Sequence, residues 1–366
     1  MLNYFMPVHF FLGRDVLKRN GELMLTLGKK PLLVTGKNSA KKCGALDDVI
    51  SVLNLSGMHY THFDEVKENP DLETVVKGAK LLQQTECDFI IAIGGGSPLD
   101  AGKAISALAK NDLLPYELYE SAKIKDAYKI VAVPTTAGTG SELTPYSVIT
   151  NTEINQKAGF GSSLLYPALS YIDAKYTLTL SKEITRDTSI DALSHLLEGL
   201  YSDVRHSFFY PLIFQGIKLI YQFLPLCLEE LDNLEYRVKL MHASMLGGYI
   251  ISQCGTTLQH SLGYPLTTEL GLSHGLANGV VMKIVMEKFY PSVSTELDSM
   301  FKYLKIGKND FYSWLDMLGI KFEHDLDDLF IKSKSYEVLN SRNMAKNPCK
   351  IELEEIQSLY KNLSKS

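Results

Sequence analysis

The amino-acid sequence predicts an α/β N-terminal domain built on a mostly parallel sheet, followed by an all-α domain. Three observations lead to this fold class. The first half alternates short apolar runs with segments whose apolar residues recur at helical spacing. The apolar runs are continuous, as expected of parallel strands that are covered on both faces. From Ser181 onward the patterns are long and helical, with almost no strand-like run.

Length and composition agree with a two-domain soluble protein. The chain has 366 residues, and we place the domain boundary near Leu180, giving domains of residues 1–180 and 181–366. Hydrophobic residues make up 45% and charged residues 22%, which excludes disordered, collagen-like and coiled-coil proteins. The net charge is −5, so basic residues are not in excess and we expect no nucleic-acid partner. The five cysteines form no C-x-x-C pair, which indicates reduced thiols and a cytoplasmic location.

We expect neither a signal peptide nor a membrane span. The N-terminus lacks a basic region followed by an apolar run. The most apolar long stretch runs from Phe208 to Leu228, but prolines bracket it and Gln215, Lys218 and Gln222 interrupt it. A membrane helix needs about 20 residues with few or no charges, so this stretch is interpreted as a buried amphipathic helix.

Individual elements follow from the same patterns. Six apolar runs are predicted strands: Pro31–Thr35, His59–Phe63, Asp88–Ile93, Lys129–Val133, Tyr146–Thr150 and Ser170–Asp173. Three intervening segments are predicted helices: Ser39–Leu53, Asp71–Gln84 and Ser97–Ala109. Ser181 is the predicted N-cap of the first helix in the helical half.

A glycine-rich loop, Gly94–Asp100 with the sequence GGGSPLD, follows the most apolar strand and opens a helix. Ser97 can cap this helix, with Pro98 at the first helical position and Asp100 at the third. Free amides and the positive end of the helix then face the space above the loop, where a phosphate is the usual ligand. The alternative is a tight strand-to-helix turn without a ligand.

A second polar loop, Pro134–Glu142, follows the next predicted strand and carries several hydroxyl groups. Such a loop can hydrogen-bond a ribose, an amide or a phosphate, although by itself it is equally compatible with a plain surface loop. Two polar loops at the carboxyl ends of neighbouring strands favour a ligand, because open α/β sheets bind ligands at that edge.

The first predicted strand ends in Gly36 and Lys37, without a G-x-G-x-x-G fingerprint. Dinucleotide-binding folds commonly place a carboxylate near this strand end to hold the adenosine ribose 2′-hydroxyl. A carboxylate would repel a 2′-phosphate, whereas glycine followed by lysine accepts one. If the ligand is a dinucleotide, we therefore favour NADP(H) over NAD(H).

The helical half carries a candidate metal site. Asp191 and His195 are spaced i and i+4, so they share one face of a helix, and His260 and His274 follow later in the chain. One carboxylate and three imidazoles suit a borderline divalent metal such as Fe²⁺, Zn²⁺, Co²⁺ or Ni²⁺. Taken singly, the Asp191/His195 pair is more often an exposed helix pair and His260 more often a core histidine.

Together these motifs resemble the iron-dependent, group III alcohol dehydrogenases. The resemblance rests on the two loops, on Asp191-x-x-x-His195, and on His260 with His274-Gly275 in the family's order and spacing. It extends from the Phe11–Gly13 stretch to about Glu287 and continues more weakly beyond. One glycine loop is a weak signal, whereas four motifs in this order are specific.

The resemblance implies a fold, a ligand set and a cofactor site. It implies a dinucleotide-binding domain, a helical metal domain, and an active site in the cleft between them. Asp191, His195, His260 and His274 would bind the metal. The cofactor would be contacted by Gly36 and Asn69 at the adenosine end, by Gly95, Gly96, Ser97 and Asp100 around the pyrophosphate, by Thr135, Thr136, Thr139 and Thr144 on the nicotinamide side, and by Lys157 at its ribose or phosphates.

The sequence departs from the family at Tyr264. Many members have a second histidine four residues after the one that matches His260, thought to lie near the nicotinamide and to assist proton transfer. This chain has tyrosine there. A tyrosine pKa near ~10 makes it a poor proton acceptor at neutral pH. Tyr264 could donate a hydrogen bond or fill space, so its role is left open.

The expected function is hydride transfer between NADP(H) and a small primary alcohol, diol or aldehyde, with Fe²⁺, Zn²⁺ or another divalent metal. A homodimer is expected from the family. Two related enzyme classes share the architecture, the glycerol dehydrogenases and the dehydroquinate synthases, and the Asp/His ligand set with the GGGSP loop favours the alcohol dehydrogenases over both. A metal- and nucleotide-binding sensor without turnover is the alternative outside enzymes.

Overall fold

The computed structural model describes residues 2–154 and 156–363. The strands are β1 (His9–Leu12), β2 (Pro31–Gly36), β3 (Thr61–Val66), β4 (Phe89–Gly94), β5 (Lys129–Pro134), β6 (Tyr146–Asn151), β7 (Gln156–Gly161) and β8 (Leu169–Ile172). The helices are α1 (Val16–Asn20), α2 (Ser39–Lys42), α3 (Ala45–Leu55), α4 (Leu72–Gln84), α5 (Gly96–Lys110), α6 (Lys182–Tyr201), α7 (Tyr210–Glu229), α8 (Leu234–Cys254), α9 (Leu258–Leu270), α10 (His274–Val280), α11 (Met282–Leu304), α12 (Lys308–Met317), α13 (Asp328–Leu339) and α14 (Leu353–Leu363).

Six strands form one parallel sheet in the order β1-β8-β5-β4-β2-β3, which confirms the predicted fold class. Every residue of β4 is buried, because helices cover both faces of the sheet. Four of the predicted strands match β2, β4, β5 and β8 to within one or two residues. The predicted strand His59–Phe63 begins two residues later, at Thr61.

Tyr146–Thr150 is a strand, as predicted, but it does not extend the parallel sheet. This segment forms β6, which pairs antiparallel with β7 in a separate two-stranded sheet. Its residues alternate between buried and half-buried, so only one face is fully covered. The covered face packs on α5, where the hydroxyl of Ser147 donates to the carbonyl of Asp100 at 2.8 Å. Strand β1 was missed because it is a short, mostly exposed edge strand.

The helix after the glycine-rich loop begins earlier than predicted. Gly96 is the first residue of α5, and Gly95, with extended backbone angles, takes the N-cap position that was assigned to Ser97. The predicted cap at Ser181 is confirmed, since its hydroxyl accepts from the backbone nitrogen of Ile184 at 3.2 Å. Asp71 caps α4 in the same way and accepts from the backbone nitrogen of Thr74 at 2.7 Å. The predicted helix Ser39–Leu53 is broken at Gly44 into α2 and α3.

The second half is helical and centres on α6, which is buried along most of its length and packs against α7, α8 and α10. One segment of the described chain, Ser207–Glu229, is long and apolar enough to cross a membrane by length and composition alone, and 33% of its most apolar window is buried. The inner face of α7, including Ile213 and Ile217, belongs to the large apolar core of this half.

Candidate metal centre and cofactor cleft

The candidate site lies in a cavity of about 1100 Å³. One wall is formed by the loops that follow β2, β4 and β5 at the carboxyl edge of the sheet. Helices α6, α9 and α10 form the opposite wall. The cavity therefore brings the two polar loops and the histidine-bearing helices of the sequence analysis to one place.

Four predicted metal ligands converge on the helical wall. The Oδ1 atom of Asp191 lies 3.6 Å from Nε2 of both His260 and His274, and 3.9 Å from Nε2 of His195. The Nε2 atoms of His195 and His260 are 3.1 Å apart. Asp191, His195 and His260 are buried, and the side chain of His274 is 25% exposed at the cavity. Asp191, His195 and His260 bring one oxygen and two nitrogens within 4.8 Å of one another, and His274 adds a nitrogen close to Asp191.

Local packing explains why these residues meet. Helix α6 places Asp191 and His195 on one face, and α9 supplies His260. His274 is the first residue of α10, whose N-cap Ser273 also donates a hydrogen bond to Asp187 on α6, at 2.5 Å. A Cβ atom on Gly275 would lie 1.7 Å from the carbonyl oxygen of Asp187. Only glycine allows α10 to approach α6 this closely, which accounts for the His-Gly pair.

The donor set fits a borderline divalent ion. Burial lowers the pKa of His195 and His274, which favours the neutral imidazole that binds metals. Burial opposes the charged form of Asp191, but the surrounding histidines outweigh it and hold its pKa well below the usual value. The amide nitrogen of Asn278 donates to Oδ1 of Asp191 at 3.0 Å and lies 3.1 Å from Nε2 of His260, so Asn278 borders the cluster.

Glu198 adjoins this cluster and was missed in the sequence. It lies on α6, three residues after His195, and is fully buried. Its Oε2 atom contacts Nδ1 of His260, and its Oε1 atom accepts from the backbone nitrogen of Thr257 at 2.6 Å. Burial lowers the pKa of His260, but Glu198 and Asp191 outweigh burial and raise it to about 9. The sequence signal that could have identified Glu198 is its spacing, which places it on the same face of α6 as Asp191 and His195.

Tyr264 packs on two of the predicted metal ligands. Its ring stacks on that of His274 with centroids 5.6 Å apart and planes at 10°, and it meets His260 edge-on at 6.3 Å. Burial raises the pKa of Tyr264 above its usual value. The hydroxyl therefore stays protonated at neutral pH and is available as a hydrogen-bond donor.

Most predicted cofactor residues line the same cavity. These are Gly36, Asn69, Gly95, Gly96, Ser97, Asp100, Thr136, Thr139, Thr144 and Lys157. Thr135 differs: it is buried and is not part of the cavity wall, and its backbone nitrogen donates to the carbonyl of Gly94 at 2.8 Å. Thr135 thus joins the two loops at their strand ends.

Asp100 is directed toward protein groups. Its carboxylate accepts from the hydroxyl of Ser141 at 2.6 Å and from the backbone nitrogen of Val148 at 2.9 Å. Lys103, one turn further along α5, was missed in the sequence and is completely buried. Its Nζ atom donates to the carbonyl and hydroxyl oxygens of Ser141 at 2.7 and 2.6 Å, and to the carbonyl of Tyr146 at 2.8 Å. This network fixes the threonine-rich loop against the glycine-rich loop.

Lys157 reaches the cavity from β7. Its Nζ atom donates to Oδ1 of Asn69 at 2.7 Å, which joins two predicted cofactor residues that are distant in the sequence. Burial lowers the pKa of Lys157 to about 8, against the opposing effect of Asp191 and Asp100. The ammonium group is therefore a cation held beside the cavity, where a ribose or phosphate oxygen could accept from it.

Comparison with known proteins decides the family. Residues 7–174 match the family model described as iron-containing alcohol dehydrogenase, and residues 185–364 match that of the Fe-containing alcohol dehydrogenase family, C-terminal. The chain belongs to the iron-containing alcohol dehydrogenase family. It is accordingly an alcohol oxidoreductase, and membership implies iron and a nicotinamide cofactor.

Individual family members resemble the chain over most of its length. An NADPH-dependent butanol dehydrogenase of Clostridium saccharobutylicum is 30% identical over 315 residues, which cover 84% of this chain and 78% of that protein. NADH-dependent butanol dehydrogenase B of Clostridium acetobutylicum is 28% identical over 308 residues, covering 84% and 78%. The crystal structure of an iron-containing alcohol dehydrogenase from Thermotoga maritima superposes with a TM-score of 0.94, at 36% identity and full coverage of both chains.

Proposed function

We propose that this enzyme transfers hydride between NADP(H) and a small primary alcohol, diol or aldehyde in the cleft described above. A divalent metal, with Fe²⁺ favoured over Zn²⁺ and other ions, would be held by Asp191, His195, His260 and His274. The observation that carries the proposal is the cluster of Asp191, His195 and His260 on the cavity wall, with His274 3.6 Å from Asp191. The similarity to butanol dehydrogenases supports the substrate class.

The bound metal would supply Lewis acidity at an oxygen atom of the substrate, and the nicotinamide would give or take the hydride. The protein's part is positioning. The amides of Gly95, Gly96 and Ser97 at the positive end of α5 would bind the pyrophosphate. Lys157 and Asn69, already hydrogen-bonded to each other, would hold a ribose or phosphate, and Thr136, Thr139 and Thr144 would orient the nicotinamide.

Tyr264 would exclude water and keep His274 in place by stacking on it. A phenol with a raised pKa cannot accept the substrate's proton at neutral pH. The proton would instead pass to water or to a cofactor ribose hydroxyl, so turnover needs no imidazole at this position.

The preference for NADP(H) is supported by the end of β2. Gly36 lines the cavity together with Ser39 and Lys67, which supply a hydroxyl and a cation where a 2′-phosphate would lie. A Cβ atom at Gly36 would be 3.2 Å from the carbonyl oxygen of Val66 and 3.7 Å from Oγ of Ser39. An aspartate therefore fits after a small shift, and its charge would repel a 2′-phosphate.

The test is the change of absorbance at 340 nm with anaerobically purified, Fe²⁺-loaded enzyme. NADPH and NADH are offered in parallel with butanal and 3-hydroxypropanal. We expect NADPH oxidation well above NADH oxidation, and Gly36→Asp to reverse that order, while Gly36→Ala, which adds a side chain without charge, keeps it. Equal use of both cofactors by the wild-type enzyme would refute the cofactor preference. Binding of NADPH without any turnover would refute the catalytic role in favour of a sensor.

We further propose a cytoplasmic homodimer whose domains span residues 1–180 and 181–366. Free thiols at all five cysteines support a reducing compartment. The start of α6 at Lys182 supports the boundary. Light scattering combined with size-exclusion chromatography tests the dimer, and a mass of one chain would refute it. The four-ligand set supports an alcohol dehydrogenase over a glycerol dehydrogenase-like or dehydroquinate synthase-like activity.

A further inference from the structure

Both carboxylate oxygens of Glu198 have hydrogen-bond partners although the side chain is completely buried. Oε1 accepts from the backbone nitrogen and the hydroxyl of Thr257, at 2.6 and 2.8 Å. Oε2 contacts Nδ1 of His260. A buried charge is costly unless it is paired and hydrogen-bonded, and here both oxygens have partners. The side chain is thus held between the start of α9 and one metal ligand.

The contact with His260 determines which ring nitrogen carries the proton. A carboxylate only accepts hydrogen bonds, so Nδ1 of His260 must donate, and in the neutral ring Nε2 then carries the lone pair that a metal needs. That Nε2 atom points the opposite way, toward Oδ1 of Asp191 at 3.6 Å and Nε2 of His195 at 3.1 Å. Among the described residues, His260 is the one predicted ligand whose Nδ1 atom meets a carboxylate.

We propose that Glu198 is a positioning residue of the metal centre, which orients His260, fixes its metal-binding tautomer and adds negative charge behind it. This inference rests on the proposed metal site. With Asp191, Glu198 provides two buried carboxylates, and their combined charge balances that of a divalent ion. Carboxylates that accept from a ligating histidine orient the ring and increase its basicity, and their loss typically weakens metal binding by about 10–100-fold.

Glu198→Gln separates this role from simple space filling, because glutamine has almost the same volume. The backbone nitrogen of Thr257 donates to Oε1, so the amide oxygen of glutamine would take that place. The amide NH₂ group would then face Nδ1 of His260 and donate to it. Nδ1 would have to accept, the proton would move to Nε2, and His260 would be in the tautomer that cannot bind metal.

The measurement is the dissociation constant of Co²⁺ and Zn²⁺ for metal-free protein, by titration against a competing chelator. The Co²⁺ absorption spectrum reports ligand geometry independently of turnover. Glu296→Gln is the matched control in the same helical half: its carboxylate accepts from Arg205 and Tyr210, each at 3.0 Å, and contacts no predicted ligand. We expect the control to lower the melting temperature and leave the dissociation constant unchanged.

For Glu198→Gln we expect a dissociation constant about 10–100-fold higher and an altered Co²⁺ spectrum, with the melting temperature of the metal-free protein close to that of the wild type. Glu198→Asp keeps the negative charge but places it farther from His260. Its metal dissociation constant should therefore lie between those of the wild type and Glu198→Gln. If Glu198→Gln does not fold, Glu198→Asp is measured instead, and we expect it to bind metal more weakly than the wild type. Affinity within twofold of the wild type in the folded variants would overturn the proposal. A wild-type protein that binds no metal at one equivalent would overturn the proposed function itself.

Discussion

Glu142 is a buried acid whose ionisation should make stability depend on pH. It lies in the short turn Ser141–Leu143 and is 2% exposed. Its Oε1 atom has no hydrogen-bond partner among the described residues. Burial raises the pKa of Glu142 to about 7 from 4.5, and Lys103 opposes this only in part. Glu142→Gln removes the charge and keeps the shape.

The size of the effect follows from the two pKa values. Because the folded-state pKa is the higher one, the folded protein binds more protons than the unfolded chain between pH 4.5 and about 7. The contribution of protonated Glu142 to the free energy of unfolding is fully present below pH 4.5 and is lost as the pH rises through about 7. At about 1.4 kcal/mol per pKa unit, this loss is at most about 3 kcal/mol. Glutamine cannot ionise, so Glu142→Gln should not lose this stability as the pH rises.

The assay is urea denaturation of the wild type and Glu142→Gln at pH 5 and pH 8. We expect similar free energies of unfolding at pH 5, and a variant more stable than the wild type by up to about 3 kcal/mol at pH 8. Glu183→Gln, at an exposed acid, is the control and should show no such gain. A difference between Glu142→Gln and wild type that is the same at both pH values would refute the reasoning.

Three further predictions concern the site itself. His274→Ala removes one of four converging ligands and should abolish both metal retention, measured by elemental analysis, and turnover at 340 nm. Gly248→Ala would place a Cβ atom 2.5 Å from the carbonyl oxygen of Gly140. We therefore expect urea denaturation to give a free energy of unfolding that is lower by about 1–3 kcal/mol. Gly159→Ala, with 3.7 Å of clearance, should lower it less. Tyr264→Phe keeps the ring stack and should leave kcat within about threefold; a tenfold drop would show that the hydroxyl transfers a proton.

The proximity of the four predicted ligands could be anticipated because its signals are local. Asp191 and His195 share a helix face by spacing alone, and glycine after His274 marks a close approach. Glu198 was not recognised, because its importance depends on His260 arriving from another helix. Spacing places Glu198 on the right face, but only tertiary packing tells whether that face meets an imidazole or solvent.

The errors in the fold have similar causes. The segment Tyr146–Thr150 has the apolar composition of a sheet strand, and composition does not specify a partner strand. Strand β6 pairs with β7 and packs on α5, where the backbone nitrogen of Val148 donates to the carboxylate of Asp100. The early start of α5 reflects the extended conformation of Gly95, which can act as an N-cap without a side-chain bond.

The two halves of the chain supply different parts of the reaction, so their relative position matters as much as either part. All four predicted metal ligands come from the helical half, and the loops proposed to bind the cofactor phosphates come from the α/β half. Contacts between the halves include the backbones of Gly140 and Gly248, which meet directly, and a hydrogen bond that Arg342 donates to the carbonyl of Tyr119. Since hydride transfer requires close approach of donor and acceptor carbons, a shift of about 1 Å at these contacts would slow the reaction while leaving each binding site intact.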